Sequence, residues 1–533
     1  MVDEPQPALP TNGAFAARRL LVAALLLCAC PRERSASSAE ELLPDAAQGA
    51  LVTAPLAGVA QNVSALLQRL AQIPGGEQLV DWRRAVATQL GFDPLSRDGQ
   101  LAAGLDPDRA AALVLLPGAT RPSWIAALPL TRAEVFARTV DRLLRERAAF
   151  ANRQDERRGR VRVAVYSREA PADRVAFAVV RGYGVIARGD DPGAAISAAA
   201  ERTRDESLAQ DQRLALARQR LGGQDLTVVA PAGPGLVYRL SARPLPSDLD
   251  IGVTSTAGGL SSKLFFQASP AQAQRMKASL AGGGGALLRF LPPAAPLVAR
   301  VGLAPADALR EMKRLPEIAD LSARLGDEVS NEIAAALLPG GALSIDLAPR
   351  ANLAALVDFG LTDWQRRSPL ETFQIVALAK VRDRARLLRA LENAAQALGG
   401  VGARATRSGS GWQVRYGGGE GPRFGVIDLG GTPVAYLVGG GISPEQLGEG
   451  PRRDPIVEQD AGASVQIDFG KLAAHVASLP ESSYGSGPQA YVARSVVAQV
   501  LEPLRPLRVT VAALPQDEGM RAEVDIAIAP GKP

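Results

Sequence analysis

Short apolar runs separated by glycine turns recur along the chain and predict β-hairpins. The clearest two are residues 175–180 and 185–188 around Gly182-Tyr183-Gly184, and residues 424–429 and 434–438 around Gly430-Gly431. Runs of this length around such turns are typical of paired antiparallel strands.

Longer segments place apolar residues three and four positions apart and predict amphipathic helices, as at 132–149 and 383–398. The predicted strands come in hairpins between these helices. The pattern therefore predicts an α+β fold with mostly antiparallel sheets and helices packed on one face.

The predicted elements occur twice in the same order, about 250 residues apart. The clearest echoes are Leu43-Pro44-Asp45-Ala46-Ala47 with Leu291-Pro292-Pro293-Ala294-Ala295, and Ile125-Ala126-Ala127-Leu128 with Ile375-Val376-Ala377-Leu378. This alignment places Arg132 opposite Arg382, where a strand runs into an arginine-rich helix.

The repeat predicts two tandem, internally duplicated halves at residues 42–281 and 289–530. The run Gly282-Gly283-Gly284-Gly285 falls between them and predicts a flexible linker over residues 282–288. Two unrelated domains of similar alanine-rich composition are the alternative.

The first 30 residues have the parts of an export signal. Arg18 and Arg19 precede the apolar run 20–27, and Leu27-Cys28-Ala29-Cys30 closes it. A charged start, a short apolar middle and a small residue at the end predict a signal peptide over residues 1–29. The run is too short to span a bilayer core of about 30 Å.

Leu27-Cys28-Ala29-Cys30 resembles the lipobox of bacterial lipoproteins. The resemblance implies cleavage between Ala29 and Cys30, a diacylglycerol thioether on the Cys30 thiol, and acylation, for example by palmitate, of the new amine. Cys28 fits less well because Leu27 would precede it, where the peptidase needs a small side chain. Residues 30–41 then form the lipidated cysteine and a flexible tether. An ordinary secretory signal with two chance cysteines is the alternative.

Composition limits the kinds of functional site expected in the two predicted halves. The chain has 60 Lys and Arg residues and 55 Asp and Glu residues, which gives a net charge of +5. The excess positive charge is spread along the chain and not concentrated in a block, so no nucleic-acid partner is expected. Both cysteines lie in the leader region and His475 is the one histidine. No catalytic residues, metal site or cofactor are therefore predicted.

Several motifs have a structural and a functional interpretation. Asp358-Phe359-Gly360 and Asp468-Phe469-Gly470 lack the other parts of a kinase and predict strand ends. His475 is interpreted as a surface or interface residue, with a general base paired to Asp468 as the alternative. Asp190 and Asp191 predict a cap for a helix that begins near Ala194. The four tryptophans are interpreted as core anchors: Trp82, Trp124, Trp364 and Trp412.

The two-part body behind a lipobox resembles uncharacterised envelope lipoproteins of high-GC bacteria, grouped under a domain of unknown function. That resemblance implies no activity. We expect a non-enzymatic binding or scaffold module tethered to the membrane through its lipid anchor, with an envelope protein or lipid as partner. Pro31 stands where aspartate would favour inner-membrane retention, so we expect the outer membrane.

Two alternatives make structural predictions. A carrier of an apolar ligand such as lipid predicts a large apolar cavity. A carboxylate-based glycan hydrolase predicts two carboxyl groups about 5 to 10 Å apart in a cleft.

Overall fold

The structure is a computed structural model that describes residues 36–46, 48–117, 123–168, 173–233, 245–312, 326–351, 353, 372–399, 403–416, 419–450 and 462–529. The chain divides into two compact units, Met1–Gln267 (unit 1) and Ala268–Pro533 (unit 2). The α+β class with antiparallel sheets is confirmed. Within the described residues, no helix combines the length and the apolar character needed to cross a bilayer.

Unit 1 is built on an antiparallel sheet. Its strands are β1 (Ala50–Pro55), β2 (Ala110–Leu116), β3 (Ser123–Pro129), β4 (Asn152–Arg158), β5 (Val161–Ser167), β6 (Arg174–Val180), β7 (Tyr183–Gly189), β8 (Leu226–Ala230), β9 (Leu249–Thr256) and β10 (Gly259–Gln267). Their spatial order is β4-β5-β6-β7-β3-β2-β1-β8-β9-β10.

The α-helices of unit 1 are α1 (Leu56–Leu70), α2 (Glu77–Leu90), α3 (Arg97–Ala102), α4 (Ala133–Arg142), α5 (Pro192–Glu201) and α6 (Gln212–Leu221). Side chains cap several of them. Asp191 accepts from the Ala194 N–H at the start of α5, as the sequence predicted, and Asp211 accepts from the Arg213 N–H at the start of α6. Such caps satisfy backbone donors that the first helical turn leaves free.

Helices cover both faces of the unit 1 sheet. Ala112 and Val114 of β2 belong to a core with Ile196 of α5. The alternate residue, Leu113, belongs to a second core with Phe136 of α4. The prediction of helices on one face is therefore wrong here, because a strand buried on both sides is a continuous apolar run, as Ala110–Leu116 is.

Unit 2 is also built on antiparallel strands. Its strands are β11 (Leu297–Val301), β12 (Leu337–Leu347), β13 (Phe373–Val381), β14 (Ala403–Ser408), β15 (Gly411–Tyr416), β16 (Gly419–Leu429), β17 (Thr432–Gly439), β18 (Ala463–Asp468), β19 (Leu507–Gln516) and β20 (Gly519–Ile528). Their spatial order is β14-β15-β16-β17-β13-β12-β11-β18-β19-β20.

The α-helices of unit 2 are α7 (Pro270–Ser279), α8 (Pro305–Met312), α9 (Asp327–Ala336), α10 (Arg384–Leu398), α11 (Phe469–Ser478) and α12 (Pro488–Leu501). The short 3₁₀ helix Gly285–Phe290 packs on one face of the sheet with Val376 and Leu378. Leu387 of α10 packs on the opposite face with Val426. Both faces are thus covered in unit 2 as well.

The described strands of the two units follow the same spatial order, but the sequence alignment of β3 with β13 is wrong by one residue. The residue before α4 is Arg132, and the residue that caps α10 is Asp383, not Arg382. Ile125 therefore matches Val376. A slip of one residue in a strand moves every side chain to the other face, so only this register matches core to core.

The glycine run predicted as a linker is packed inside unit 2. The Gly282 N–H donates to the Gly302 carbonyl at 2.9 Å, and a Cβ on Gly282 would lie 2.5 Å from the Gly340 nitrogen. Glycine is required there because two backbones approach closely. The unit boundary lies before α7, at Gln267 and Ala268, and not at residues 282–288.

Candidate functional site

Several residues singled out in the sequence lie outside the described residues. These are Ala29 and Cys30 of the lipobox, Asp358-Phe359-Gly360, and Trp364. The lipidation and cleavage sites therefore stay predictions. The prediction of a flexible tether over residues 30–41 is wrong at its described end, because Ala36 and Ala39 are 3% and 1% exposed in the core of unit 1.

His475 on α11 pairs with Asp346 of β12, and not with Asp468. The His475 Nδ1 atom is hydrogen-bonded to Asp346 Oδ1, and the Asp346 side chain is 9% exposed. Asp468 instead accepts from the Lys471 N–H at 3.0 Å and pairs with Arg508 at 3.0 Å. Asp468-Phe469-Gly470 is thus a capped strand-to-helix junction. The pairing of His475 with Asp468 as a base is wrong, because the capping and ion-pair roles already occupy that carboxylate.

The tryptophan prediction holds in part. Trp124 and Trp412 are buried in their cores, whereas Trp82 is 51% exposed on α2. Helix α2 buries only Leu90 completely, so its apolar residues do not all face a core.

An apolar cavity of about 360 Å³ lies between α10 and the sheet of unit 2. The helix contributes Leu387, Leu391, Ala394 and Leu398 to its wall. Strands β13, β15, β16 and β17 supply most of the opposite wall, including Ala379, Val414, Phe424 and Leu437. The volume falls in the range of about 300 to 1,000 Å³ that is usual for small-molecule sites.

Two residues on the helix side of this cavity are smaller than their matches in unit 1. The Phe136 N–H donates to the Arg132 carbonyl at 3.2 Å, and the Leu387 N–H donates to the Asp383 carbonyl at 3.0 Å. Phe136 therefore matches Leu387, and one heptad later Leu143 matches Ala394. Phe136 and Leu143 are 0% and 2% exposed in the packed core of unit 1.

On the strand side of the cavity, one wall residue is also smaller than its match in unit 1. Leu128 pairs with Gly184 across β3 and β7, and Ala379 pairs with Ala435 across β13 and β17. Each lies four residues before its helix cap, so Leu128 matches Ala379.

Strands β5 and β15 can be aligned through the phenylalanine that lies opposite each of them on the neighbouring strand. Ala164 lies opposite Phe177 and Trp412 lies opposite Phe424. Tyr166, two residues beyond Ala164, therefore matches Val414, two residues beyond Trp412. At four matched positions a large core side chain of unit 1 is replaced by a smaller one in unit 2: Leu128 by Ala379, Phe136 by Leu387, Leu143 by Ala394 and Tyr166 by Val414. Trp412, by contrast, is larger than its match Ala164.

The replacements interrupt the core. In unit 1 one continuous cluster contains Leu128, Phe136, Leu143 and Tyr166. Under α10 the buried residues form two separate clusters, one around Leu387 at the start of the helix and one around Leu398 at its end. The cavity occupies the space between them.

The cavity wall carries no charged side chain. Tyr436 borders the cavity on the strand side, but its side chain packs in the core on the opposite face of the sheet, where burial raises the pKa of the phenol. The ion pair between Arg386 and Glu332, at 2.7 Å, joins α10 to α9 outside the wall. Trp412 stacks on Phe424 with their ring centroids 5.7 Å apart. Such a wall offers dispersion contacts and burial to a ligand, and almost no hydrogen bonds.

A polar pocket of about 450 Å³ lies elsewhere in unit 2 and includes Arg350, Gln413, Glu420 and Arg423 in its lining. Glu420 is its one carboxylate. A third pocket in unit 1, beside Arg218 and Thr227, has none. In the described part of the chain, these three pockets therefore do not present the paired carboxylates that a glycan hydrolase requires.

No protein-family model matches the chain, and no curated protein matches it. Among solved structures, crystal form III of TP0453 is similar over 46% of this chain and 88% of its own, with 11% identity and a TM-score of 0.26. A likeness at that TM-score carries no argument about this protein.

Proposed function

We propose that this protein is a non-enzymatic binding protein that holds an apolar ligand in the cavity of unit 2 and is tethered to a bacterial membrane through Cys30. One observation carries the ligand-binding proposal. The cavity under α10 has an apolar wall and lies where the equivalent space of unit 1 is filled by large side chains.

The energetics favour an apolar occupant. Each methylene group buried in such a wall contributes about 0.8 kcal/mol. A charged or strongly polar ligand would leave its hydrogen bonds unmade, at a cost of several kcal/mol. The cavity therefore favours apolar ligands over polar ones. This preference is expected of a carrier or sensor of a lipid-like molecule.

The matching strand orders support an origin of the two units by internal duplication. Under this proposal unit 1 keeps the packed core and unit 2 is the copy in which four core residues became smaller. Binding then arose by loss of core volume, without the addition of a new element.

The membrane placement rests on the lipobox. Replacement of the Cys30 thiol by Cys30→Ser should release the protein from the membrane fraction and remove lipid mass from its mature N-terminal peptide. Cys28→Ser serves as the matched control and should leave both unchanged. Equal membrane association of Cys30→Ser and the wild type would refute the tether.

A scaffold role is the second candidate, favoured by the outer face of α12. Val492, Val496 and Val500 are 59%, 50% and 60% exposed at successive turns, beside Tyr491 at 72%. An apolar stripe of this kind often marks a protein contact. Crosslinking in the native envelope should then recover one dominant partner that Val496→Asp loses.

Native mass spectrometry of the full chain tests the proposed function. The Cys30→Ser form is used so that the protein's own acyl groups are not counted as ligand. An apolar molecule should co-purify at a ratio of about one per chain and should disappear in Ala379→Leu/Ala394→Leu, which rebuilds the side chains of unit 1. Bare protein in both forms, with no uptake of added fatty acid, would refute the proposal.

A further inference from the structure

The shape of the cavity narrows the class of ligand, and this step rests on the proposed function. We infer that the ligand is a single unbranched alkyl chain, such as one acyl chain of a fatty acid or lipid, that lies along α10 with about thirteen carbons enclosed.

The length of the cavity follows from the residues that line it. Leu387, Leu391, Ala394 and Leu398 all face it, and a rise of about 1.5 Å per residue places the first and last about 16 Å apart. The opposite wall crosses the adjacent strands β13, β17, β16 and β15. Three strand spacings of about 4.8 Å give about 14 Å, in agreement with the helix.

Its width is that of one hydrocarbon chain. A volume of about 360 Å³ over about 16 Å gives a mean cross-section of about 22 Å². Apolar atoms in contact lie about 4.0 to 4.5 Å apart, so one alkyl chain packed among neighbours occupies roughly 20 Å². A fused-ring ligand or a pair of alkyl chains needs a clearly larger cross-section.

Both ends of the cavity are closed by packed side chains. Leu387 and Val426, each 0% exposed, close the end at the start of α10. Leu398 and Ala403, 7% and 3% exposed, pack at the other end. Closed ends set an upper limit on chain length. With carbon bonds of about 1.5 Å, a zigzag chain advances about 1.25 Å per carbon, so about thirteen carbons fill 16 Å.

The cavity opens to solvent beside Leu437, whose side chain is 40% exposed. A polar headgroup can therefore stay in water while the chain is buried. The wall itself contributes no charge for recognition of that headgroup, so the chain and not the headgroup determines affinity.

A chain-length series tests this inference. The full chain carrying Cys30→Ser is titrated with a fluorescent alkyl probe, which is then displaced by saturated fatty acids and by a steroid acid with a similar number of carbons. Affinity should rise about fourfold per methylene group and level off near thirteen carbons, and the steroid acid should displace at least tenfold less well.

A variant in the wall makes the test specific to this cavity. Ala394→Leu should lower the chain length at which the plateau is reached, because the larger side chain fills part of the space between Leu387 and Leu398. Ala385→Leu makes the same alanine-to-leucine change on the exposed face of α10 and should leave the plateau in place. Ala394→Leu is expected to fold, because leucine occupies the matching position in unit 1.

The possible outcomes separate the two proposals. Equal displacement by the steroid acid, or a plateau that Ala394→Leu does not move, would overturn the single-chain inference while the binding function stands. Failure of the wild-type chain to bind the probe or any fatty acid would overturn the proposed function itself.

Discussion

Phe136 and Leu387 occupy the same position on equivalent helices, four residues after the helix cap, and both are completely buried. Phe136 fills the core of unit 1, whereas Leu387 stands at the edge of a cavity. The difference in side-chain size at this and three other matched positions separates a packed unit from one with room for a ligand.

Filling the cavity should stabilise the empty protein and abolish binding. Ala379→Leu/Ala394→Leu restores the side chains that Leu128 and Leu143 supply in unit 1, and we expect a gain of about 1 to 2 kcal/mol in the free energy of unfolding. Affinity for the alkyl probe should fall at least tenfold. Chemical denaturation and probe titration measure the two effects. A destabilised variant that still binds would show that the cavity is not the site.

The reverse change in unit 1 should be costly. Leu128 is 3% exposed in the continuous core, so Leu128→Ala removes buried methyl groups and leaves a void. We expect a loss of about 2 to 5 kcal/mol in the free energy of unfolding, measured by urea denaturation. A loss below about 1 kcal/mol would mean that this core is loosely packed, and it would weaken the contrast between the units.

The glycine run provides a prediction that distinguishes a packed segment from a linker. A Cβ on Gly282 would lie 2.5 Å from the Gly340 nitrogen and 2.6 Å from the Gly302 oxygen. Gly282→Ala should therefore destabilise unit 2 by more than about 2 kcal/mol, because backbone must move. Gly399→Ala, where a Cβ meets nothing within 4 Å, is the control and should be close to neutral. Equal stability of both variants would support a free linker.

Alkaline pH should weaken unit 1 through Tyr183. Burial raises the pKa of Tyr183 to about 12, against an ordinary value of about 10. Because the folded state holds the proton more tightly, this contribution to stability is complete below about pH 10 and is lost as the pH rises towards about 12.

Tyr183→Phe tests that assignment and keeps a ring under Arg109, whose guanidinium carbon lies 4.2 Å from the ring centroid. Between about pH 9 and pH 11 the wild type should lose about 1 kcal/mol more free energy of unfolding than the variant. Denaturation curves at the two pH values measure this difference. Identical pH dependence would contradict it.

The sequence predicted the α+β class and the order of many elements because hairpin glycines and helical periodicity are local signals. Gly182 and Gly430, for example, mark turns whose strands pair as expected. The residue-by-residue alignment of the two halves could not be predicted from such local signals. Alanine-rich strands such as Ile125-Ala126-Ala127-Leu128 align almost equally well one residue apart, and the cap at Asp383 and the match between buried faces fix the choice.

The cavity could not be found from the sequence for the same reason. Ala379, Ala394 and Val414 are unremarkable one by one, and their small size has meaning only beside Leu128, Leu143 and Tyr166 in the correct register. The flexible linker predicted at the glycine run from Gly282 was wrong for a related reason. Glycine occurs where backbones approach closely as well as in flexible segments. Likewise, the partner of His475 depends on a tertiary contact with Asp346, 129 residues away.

Photocrosslinking locates the ligand most directly. A fatty acid of about thirteen carbons with a photoreactive diazirine in its chain is bound to the full Cys30→Ser chain and irradiated, and the labelled peptides are identified by mass spectrometry. Label should fall on Phe373–Val381 and Arg384–Leu398 of unit 2 and should be lost in Ala379→Leu/Ala394→Leu. Label spread equally over Ser123–Pro129 and Ala133–Arg142 of unit 1, or unchanged in the filled variant, would contradict a ligand site in the cavity of unit 2.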